Sequence, residues 1–260
     1  MPDRRFRTAV LAVVGAALVA LLAGASASQA QVGPGPGGRA PYASQQQPRN
    51  KAGHFDYYAL VLSWSPTFCA TQRRGGDDPQ CNPRGGRSYS FVLHGVWPQY
   101  NKGWPQDCRT QWRPFVPRPV IENMLDIMPS KNLVIHEYRK HGTCSGLEPA
   151  DYFKFSRRLY DKVKIPPRYV GPNAAFTVSP SEVIRDFTSV NPGMRPDNIA
   201  VACGGRGNQV REIRICFSRE GTFRRCGENE EARRLCRASK MYVPPARAGG
   251  SGKSGSRRGN

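Results

Sequence analysis

Eight cysteines, every one of them downstream of an apolar N-terminal stretch, constrain this chain more than any other feature of its sequence. The chain begins with Arg4-Arg5-Phe6-Arg7, turns apolar from Thr8 to Ala23, and reaches Ser28-Gln29-Ala30 through small residues. A basic start, an apolar centre and a small-x-small end read as a secretory signal over residues 1–30, cleaved after Ala30 or, alternatively, after Ala27. The rival reading is a membrane anchor. It needs ~20 apolar residues and a charged flank to stop transfer, and the stretch supplies neither. Export puts the cysteines in an oxidising compartment, where an even number implies a full set of disulfides. Eight cysteines allow about a hundred pairings, and spacing alone does not choose among them. With no Cys-x-x-Cys and no paired His–Cys spacing, structural metal binding is a weak alternative.

Residues 31–53 are rich in Gly, Pro and Gln without apolar period, and read as a flexible linker. The tail 246–260 is Gly, Ser, Lys and Arg, and is expected to be disordered and basic. Residues 54–245 remain as one domain, long enough to bury a substantial core. The formal net charge of +20 falls to about +18 without residues 1–30, which favours a polyanionic partner such as nucleic acid. A basic protein charged only for solubility would look the same.

Within the domain, Phe55–Trp64 is rich in Tyr, Leu, Val and Trp and predicts a largely buried strand. Ser88–His94 predicts a second, with Tyr89, Phe91 and Leu93 on one face and Ser90, Val92 and His94 on the other. Gly75–Gly86 between them is polar and loop-like. Ile121, Met124, Leu125 and Met128 recur at helical spacing. Another helix is expected over Pro149–Val163, burying Tyr152, Phe155, Leu159 and Val163. Ser179, Pro180 and Glu182 spell an N-cap, a first-turn proline and a capping box, and Asn191-Pro192-Gly193 ends that helix. Glu212–Phe217 alternates, with Ile213, Ile215 and Phe217 on one face. Strands and helices without strict alternation predict an α+β fold.

The chemistry concentrates in two segments. Phe91-Val92-Leu93-His94-Gly95-Val96-Trp97-Pro98 holds one of the four histidines; His136-Glu137-Tyr138-Arg139-Lys140-His141-Gly142-Thr143-Cys144 holds two. Imidazoles titrate near neutrality, so a pair of them suits chemistry that moves two protons. His-Glu-x-x-x-His resembles a zinc-protease motif only superficially. That chemistry wants histidines at i and i+4, about 40° apart, whereas i and i+5 stand roughly 140° apart on an ideal helix. Glu137 and His141, and His136 and Lys140, do share faces. A solvated helix with satisfied histidines is the bland alternative, made less plausible by Gly142 and Cys144, since glycine permits close approach of the backbone to a ligand. His54 stands in no motif and reads as surface or structural.

Together the two segments closely resemble the active-site motifs of the ribonuclease T2 family of secreted endoribonucleases. The first family motif reads aromatic-x-Ile-His-Gly-Leu-Trp-Pro. The second reads His-Glu-Trp-x-Lys-His-Gly-Thr-Cys, and this chain departs from it only by Tyr138. The motifs come in family order, with His94 and His136 separated by 42 positions. The likeness extends over roughly Phe55–Tyr242.

The resemblance implies an α+β fold with a central antiparallel sheet, flanking helices and disulfide staples. It implies His94 and His141 as the catalytic acid and base, His136 as a phosphate ligand, and Glu137 and Lys140 as stabilisers of the transition state. It suggests the pairs Cys69–Cys81, Cys108–Cys144, Cys203–Cys236 and Cys216–Cys226. Trp97 would stack on a base, against the alternative of a core tryptophan. Gln99 stands where some members carry a base-reading Asp, and Tyr100, with Trp104, would either line the same pocket or belong to the core. The implied reaction is metal-independent and needs no cofactor: single-stranded RNA is cut to 2′,3′-cyclic phosphate ends, while DNA is at most bound. A catalytically silent RNA-binding relative is the rival from another class. The protein is expected to be a monomer, free of the membrane once its signal is removed, and secreted or periplasmic in a bacterium.

Overall fold

In the computed structural model, which describes residues 50–72, 78–82 and 88–246, Tyr57–Trp64 forms strand β1, closed on both faces. Its aromatic and β-branched residues suit a pleat buried on two sides. Helix α1 (Ser65–Thr71) follows, then β2 (Phe91–Gln99), the short α2 (Arg118–Glu122) and α3 (Lys131–Glu137). A π-helical turn over Tyr138–Gly142 leads into α4 (Thr143–Ser145) and α5 (Pro149–Asp161). The remaining elements are β3 (Phe176–Val178), α6 (Pro180–Val190), β4 (Ile199–Gly204), β5 (Gln209–Phe217), α7 (Ala232–Leu235) and β6 (Met241–Val243).

The sheet runs β2-β1-β5-β6-β3, with β4 also paired to β5. It is antiparallel except where β6 meets β5, a parallel contact at Gln209 and Tyr242. The expected antiparallel sheet is therefore a mixed one. Tyr58, Leu60, Leu62 and Trp64 of β1 join Ile213, Ile215 and Phe217 of β5 in the main core. Helices α5 and α6 cover that face with Tyr152, Phe155 and Leu159 and with Val183 and Phe187. Ser179 caps α6 in a complete capping box with Glu182, worth about 1 kcal/mol. The opposite face carries a small cluster of Tyr57, Ala59, Val61 and Cys216, against which Trp97 packs. This second face holds the candidate site.

β2 starts later than the sequence predicts and continues through Pro98 to Gln99. Pro98 is tolerated because β2 is an edge strand and loses no ladder bond on its open side. Val61 pairs with Gly95 but Leu62 with Leu93, so His94 is the extra residue of a β-bulge. A bulge resets the alternation. Leu93 and Val96 both enter the main core although they stand three positions apart, an odd spacing that a regular strand would send to opposite faces. For the same reason His94 and Trp97 leave β2 on one side.

All eight cysteines are paired, as Cys69–Cys81, Cys108–Cys144, Cys203–Cys236 and Cys216–Cys226. Cys108–Cys144 ties the loop after β2 to the end of the π turn. Closing its loop contributes about 3–4 kcal/mol by the chain-entropy argument. The signal over residues 1–30, most of the linker and the tail beyond Ala246 lie outside the described residues, as does most of the Gly75–Gly86 loop. The described end of the linker is held in place. Lys51 bridges to Arg109, and the Gly53 N–H donates to the Cys144 carbonyl at 2.9 Å. At the other end Ala246 is buried and its N–H donates to Pro172 O at 2.9 Å.

Candidate active site

On an ideal α-helix His136 and His141 would diverge by roughly 140°. The π turn corrects this expectation. Its hydrogen-bonded ring is one residue wider, i to i+5, so side chains five apart come round to one side. His136, Lys140 and His141 all line one cavity of about 300 Å³, together with His94 and Trp97. Local packing explains the wide turn. Tyr138 is fully buried against Tyr152 and Phe153, with ring centroids 5.7 and 6.3 Å away, and its hydroxyl donates to Leu147 O at 3.0 Å. Tyr138, the one departure from the second family motif, is thus a core anchor. A Cβ on Gly142 would sit 2.5 Å from the Tyr138 ring, so that position must be glycine for the ring to pass. Thr143 and Ser145 hydroxyls donate to Arg139 O and Gly142 O at 3.0 and 2.6 Å, pairing carbonyls along the turn.

The bulge on β2 presents His94 to this turn. His94 Nε2 lies 3.5 Å from Glu137 Oε1, and Trp97 Nε1 donates to Glu137 Oε2 at 2.7 Å. Gly95 makes room for the carboxylate: a Cβ there would fall 2.0 Å from Glu137 Oε2 and 2.7 Å from Trp97 Nε1. The Trp97 ring stacks on His141, 4.9 Å between centroids at 25°, meets His94 edge-on at 5.2 Å, and carries the Arg214 guanidinium 5.1 Å from its centroid. His141 thus covers Trp97 in this arrangement, and the Arg214 guanidinium also lies over its ring.

Two contributors come from β5 and were not singled out by motif. Glu212 Oε1 lies 3.1 Å from His94 Nδ1, and Arg214 Nη2 donates to Glu212 Oε2 at 3.2 Å. Arg214 also reaches the buried Glu230 at 3.6 Å, and Glu230 accepts from the Tyr57 hydroxyl. The only sequence signal was the alternation that faces Ile213 and Ile215 into the core and therefore turns Glu212 and Arg214 away from it.

Of the expected base-contacting residues, Gln99 lines the cavity but is buried and accepts from Asn229 Nδ2 at 3.0 Å. Tyr100 packs against the main core instead of lining the cavity. Trp104, 54% exposed, takes that place. His54 is exposed and stands apart from the site.

The histidines are electrostatically unlike. Burial would lower His94, but the Glu212 hydrogen bond and the charges of Glu137 and Glu212 raise it above the ordinary imidazole range. Burial lowers His141 to about 3, with Lys140, His94, His136 and Arg214 adding repulsion. His136 is lowered too, by desolvation and then by Lys140. Desolvation lifts Glu137 to about 7 against the pull of His94. Burial opposes ionisation of Glu212 as well, yet His94 and Arg214 hold it at about 2. Glu212 is therefore the carboxylate that stays ionised beside His94 at every working pH. The two imidazoles are thus biased in opposite directions, His94 towards holding a proton and His141 against it.

The π turn removes the spacing argument against a shared metal. Among the described residues, no three His, Cys, Asp or Glu side chains are gathered as ligands. A larger cavity of about 620 Å³, lined by Val120, Met124, Phe153 and Lys154 among others, contains no histidine, so size does not locate the chemistry. On the other side of His94 a cavity of about 260 Å³ is lined by Ser63, Thr67, Phe68 and Arg211.

A family model described as the ribonuclease T2 family matches residues 55–226. A ribonuclease of Aeromonas hydrophila is 34% identical over 181 residues, which cover 70% of this chain and 80% of that one. Two solved structures share the fold. One is an RNase-related protein from Calystegia sepium, with a TM-score of 0.57, 20% identity, and coverage of 74% of this chain and 98% of that one. The other is a variant of ribonuclease MC1 in complex with 5′-UMP, with a TM-score of 0.56, 22% identity, and coverage of 72% and 98%.

Proposed function

The chain belongs to the ribonuclease T2 family and is an endoribonuclease, and we propose that it cuts single-stranded RNA by transphosphorylation between His141 and His94. The observation that carries this reading is the opposite bias of the two imidazoles across one cleft, neutral at His141 and protonated at His94. In the proposed step His141 takes the proton of a ribose 2′-hydroxyl, and the oxygen attacks the adjacent phosphorus. His94 gives its proton to the departing 5′-oxygen as the P–O5′ bond breaks, leaving a 2′,3′-cyclic phosphate and a free 5′-hydroxyl. The Lys140 ammonium faces the charge that develops on the phosphoryl oxygens, where a fixed cation is most effective. His136, at the exposed rim, binds the phosphate. Glu137, lifted to about 7, is neutral in mildly acidic solution and does not oppose that charge. Glu212 holds His94 through Nδ1 in the orientation and charge state of an acid.

The ribose itself supplies the nucleophile. DNA is therefore bound at most and not cut, and the reaction runs without metal or cofactor. Residues 1–30 serve as a secretory signal, and residues 54–245 act as a monomer in the periplasm or medium of a bacterium. Incubating a defined RNA in EDTA and analysing its ends tests the reaction. Termini bearing 2′,3′-cyclic phosphate are expected; wild-type protein that binds RNA across the pH range without cutting it would replace this reading by that of an RNA-binding relative.

The pH profile separates the two roles. Activity should rise as His141 loses its proton at low pH and fall as His94 loses its own above the ordinary imidazole range. Glu212→Gln removes the permanent negative charge at Nδ1, so the alkaline limb of kcat/KM should move to lower pH by about one unit. An unmoved limb would deny Glu212 its role.

A further inference from the structure

The loop after β2 leaves its aromatic rings outside. The exposed large apolar side chains among the described residues are Trp104, Trp112, Phe115, Val170 and Tyr242. Three of these five lie in the twelve residues from Trp104 to Phe115. The loop is fastened chiefly through its backbone and one disulfide. Cys108 is joined to Cys144, the Asp107 N–H donates to Lys140 O at 2.8 Å, and Arg139 Nε donates to Pro114 O at 3.3 Å. Trp112 contributes only its indole N–H, to Gly146 O at 3.1 Å. The loop thus lies along the π turn and α4. It begins at the catalytic cleft with Trp104 and ends with Trp112 and Phe115, which are 37% and 67% exposed.

Charge selects the partner. Arg109, Arg113 and Arg139 are exposed, and none is in an ion pair among the described residues. Asp107 is the one acid on the loop. Aromatic faces interleaved with unpaired guanidinium groups suit a single-stranded polynucleotide, whose bases stack while its phosphates meet cations. An apolar protein partner would make no use of the Arg109 and Arg113 charges.

We propose that this loop is a stacking strip for the single-stranded RNA on the 5′ side of the cut. The direction rests on His141 being the base. The 2′-hydroxyl that His141 deprotonates belongs to the nucleotide 5′ of the scissile phosphate, and the loop is fastened to the turn that carries His141. In this proposal the leaving nucleoside takes the His94 side of the cleft. Single-stranded RNA then threads from Phe115 and Trp112 past Trp104 into the cleft.

Oligonucleotides that are 2′-O-methylated everywhere but at one ribonucleotide test this. A minimal dinucleotide is compared with the same linkage extended by about six nucleotides on the 5′ or on the 3′ side. Wild-type kcat/KM should rise with the 5′ extension. Phe115→Ala and Trp112→Ala should each remove about tenfold of that gain and leave the dinucleotide and the 3′-extended substrate unchanged. Equal effects on both extensions, or none on either, would overturn the strip. Phe115→Ala guards against misfolding, since this ring is the most exposed of the three. Binding of the fully methylated, uncleavable 5′-extended oligonucleotide gives a second readout. It should weaken in both variants even if no substrate is cut, so failure of the strip and failure of the ribonuclease reading remain distinguishable.

Discussion

His141→Ala is expected to lower kcat by about 10³-fold or more while leaving RNA binding largely intact. A positioned proton transfer contributes roughly 10²- to 10⁴-fold, and the surroundings of His141 keep it in the neutral form that a base requires. Burial and four neighbouring cations or imidazoles bias it against holding a proton, so almost the whole population is competent as a base near neutrality. Without it the 2′-hydroxyl must lose its proton to solvent. His94→Ala removes the acid and should cost a similar factor. The double variant should be little worse than either single one, because the two imidazoles act in one step and their effects do not add. Rates from single-turnover cleavage and thermal unfolding of all three variants decide the matter. A His141→Ala protein within tenfold of wild type would end the two-histidine mechanism. Additive losses in the double variant would show that the two groups serve separate steps.

Gly95→Ala is expected to damage the site almost as severely with one methyl group. The new Cβ would overlap Glu137 Oε2 at 2.0 Å and crowd the Glu137 carboxyl carbon at 2.8 Å. This carboxylate cannot swing clear without cost. It is buried, it accepts from Trp97, and it sits against His94. Displacing it moves Trp97, on which His141 is stacked, so both imidazoles shift together. A misplacement of about 1 Å in such a constellation can cost 10²-fold, and overpacking of this kind typically destabilises by about 1–3 kcal/mol. We therefore expect kcat/KM to fall by about 10²-fold with the protein still folded, read by steady-state cleavage beside thermal unfolding. Retention of wild-type kcat/KM would mean that Glu137 is free to relocate and that the Gly95 contact positions nothing.

Much of the secondary structure was legible because it follows ideal periods. The α6 capping box, the buried side of α5 and the alternating Ile213, Ile215 and Phe217 all sit where repeats of 3.6 and 2.0 put them. The active site departs from both periods, by one residue each time. A regular strand would send His94 and Trp97 to opposite faces, and the bulge against Val61 and Leu62 puts them together. A regular helix would part His136 from His141, and the π turn joins them. Periodic reading is least reliable where one extra residue is inserted, because the insertion is held by specific packing that the period itself does not encode.

Residue identity alone thus determined which side chains can exchange protons and bear charge. The sequence carries His94, His136, Glu137, Lys140 and His141 in two dense segments, eight cysteines to fasten them, and a basic surplus suited to a polyanion. Only the tertiary structure decided how those groups differ. Glu212 arrives from a strand more than a hundred residues after His94 and, itself kept ionised with the help of Arg214, favours the proton on that imidazole, while burial behind Trp97 disfavours one on His141. Two histidines that are chemically equal in the chain are biased in opposite directions because a pKa answers to the desolvation and charges around a group, and the folded chain is what brings those charges near.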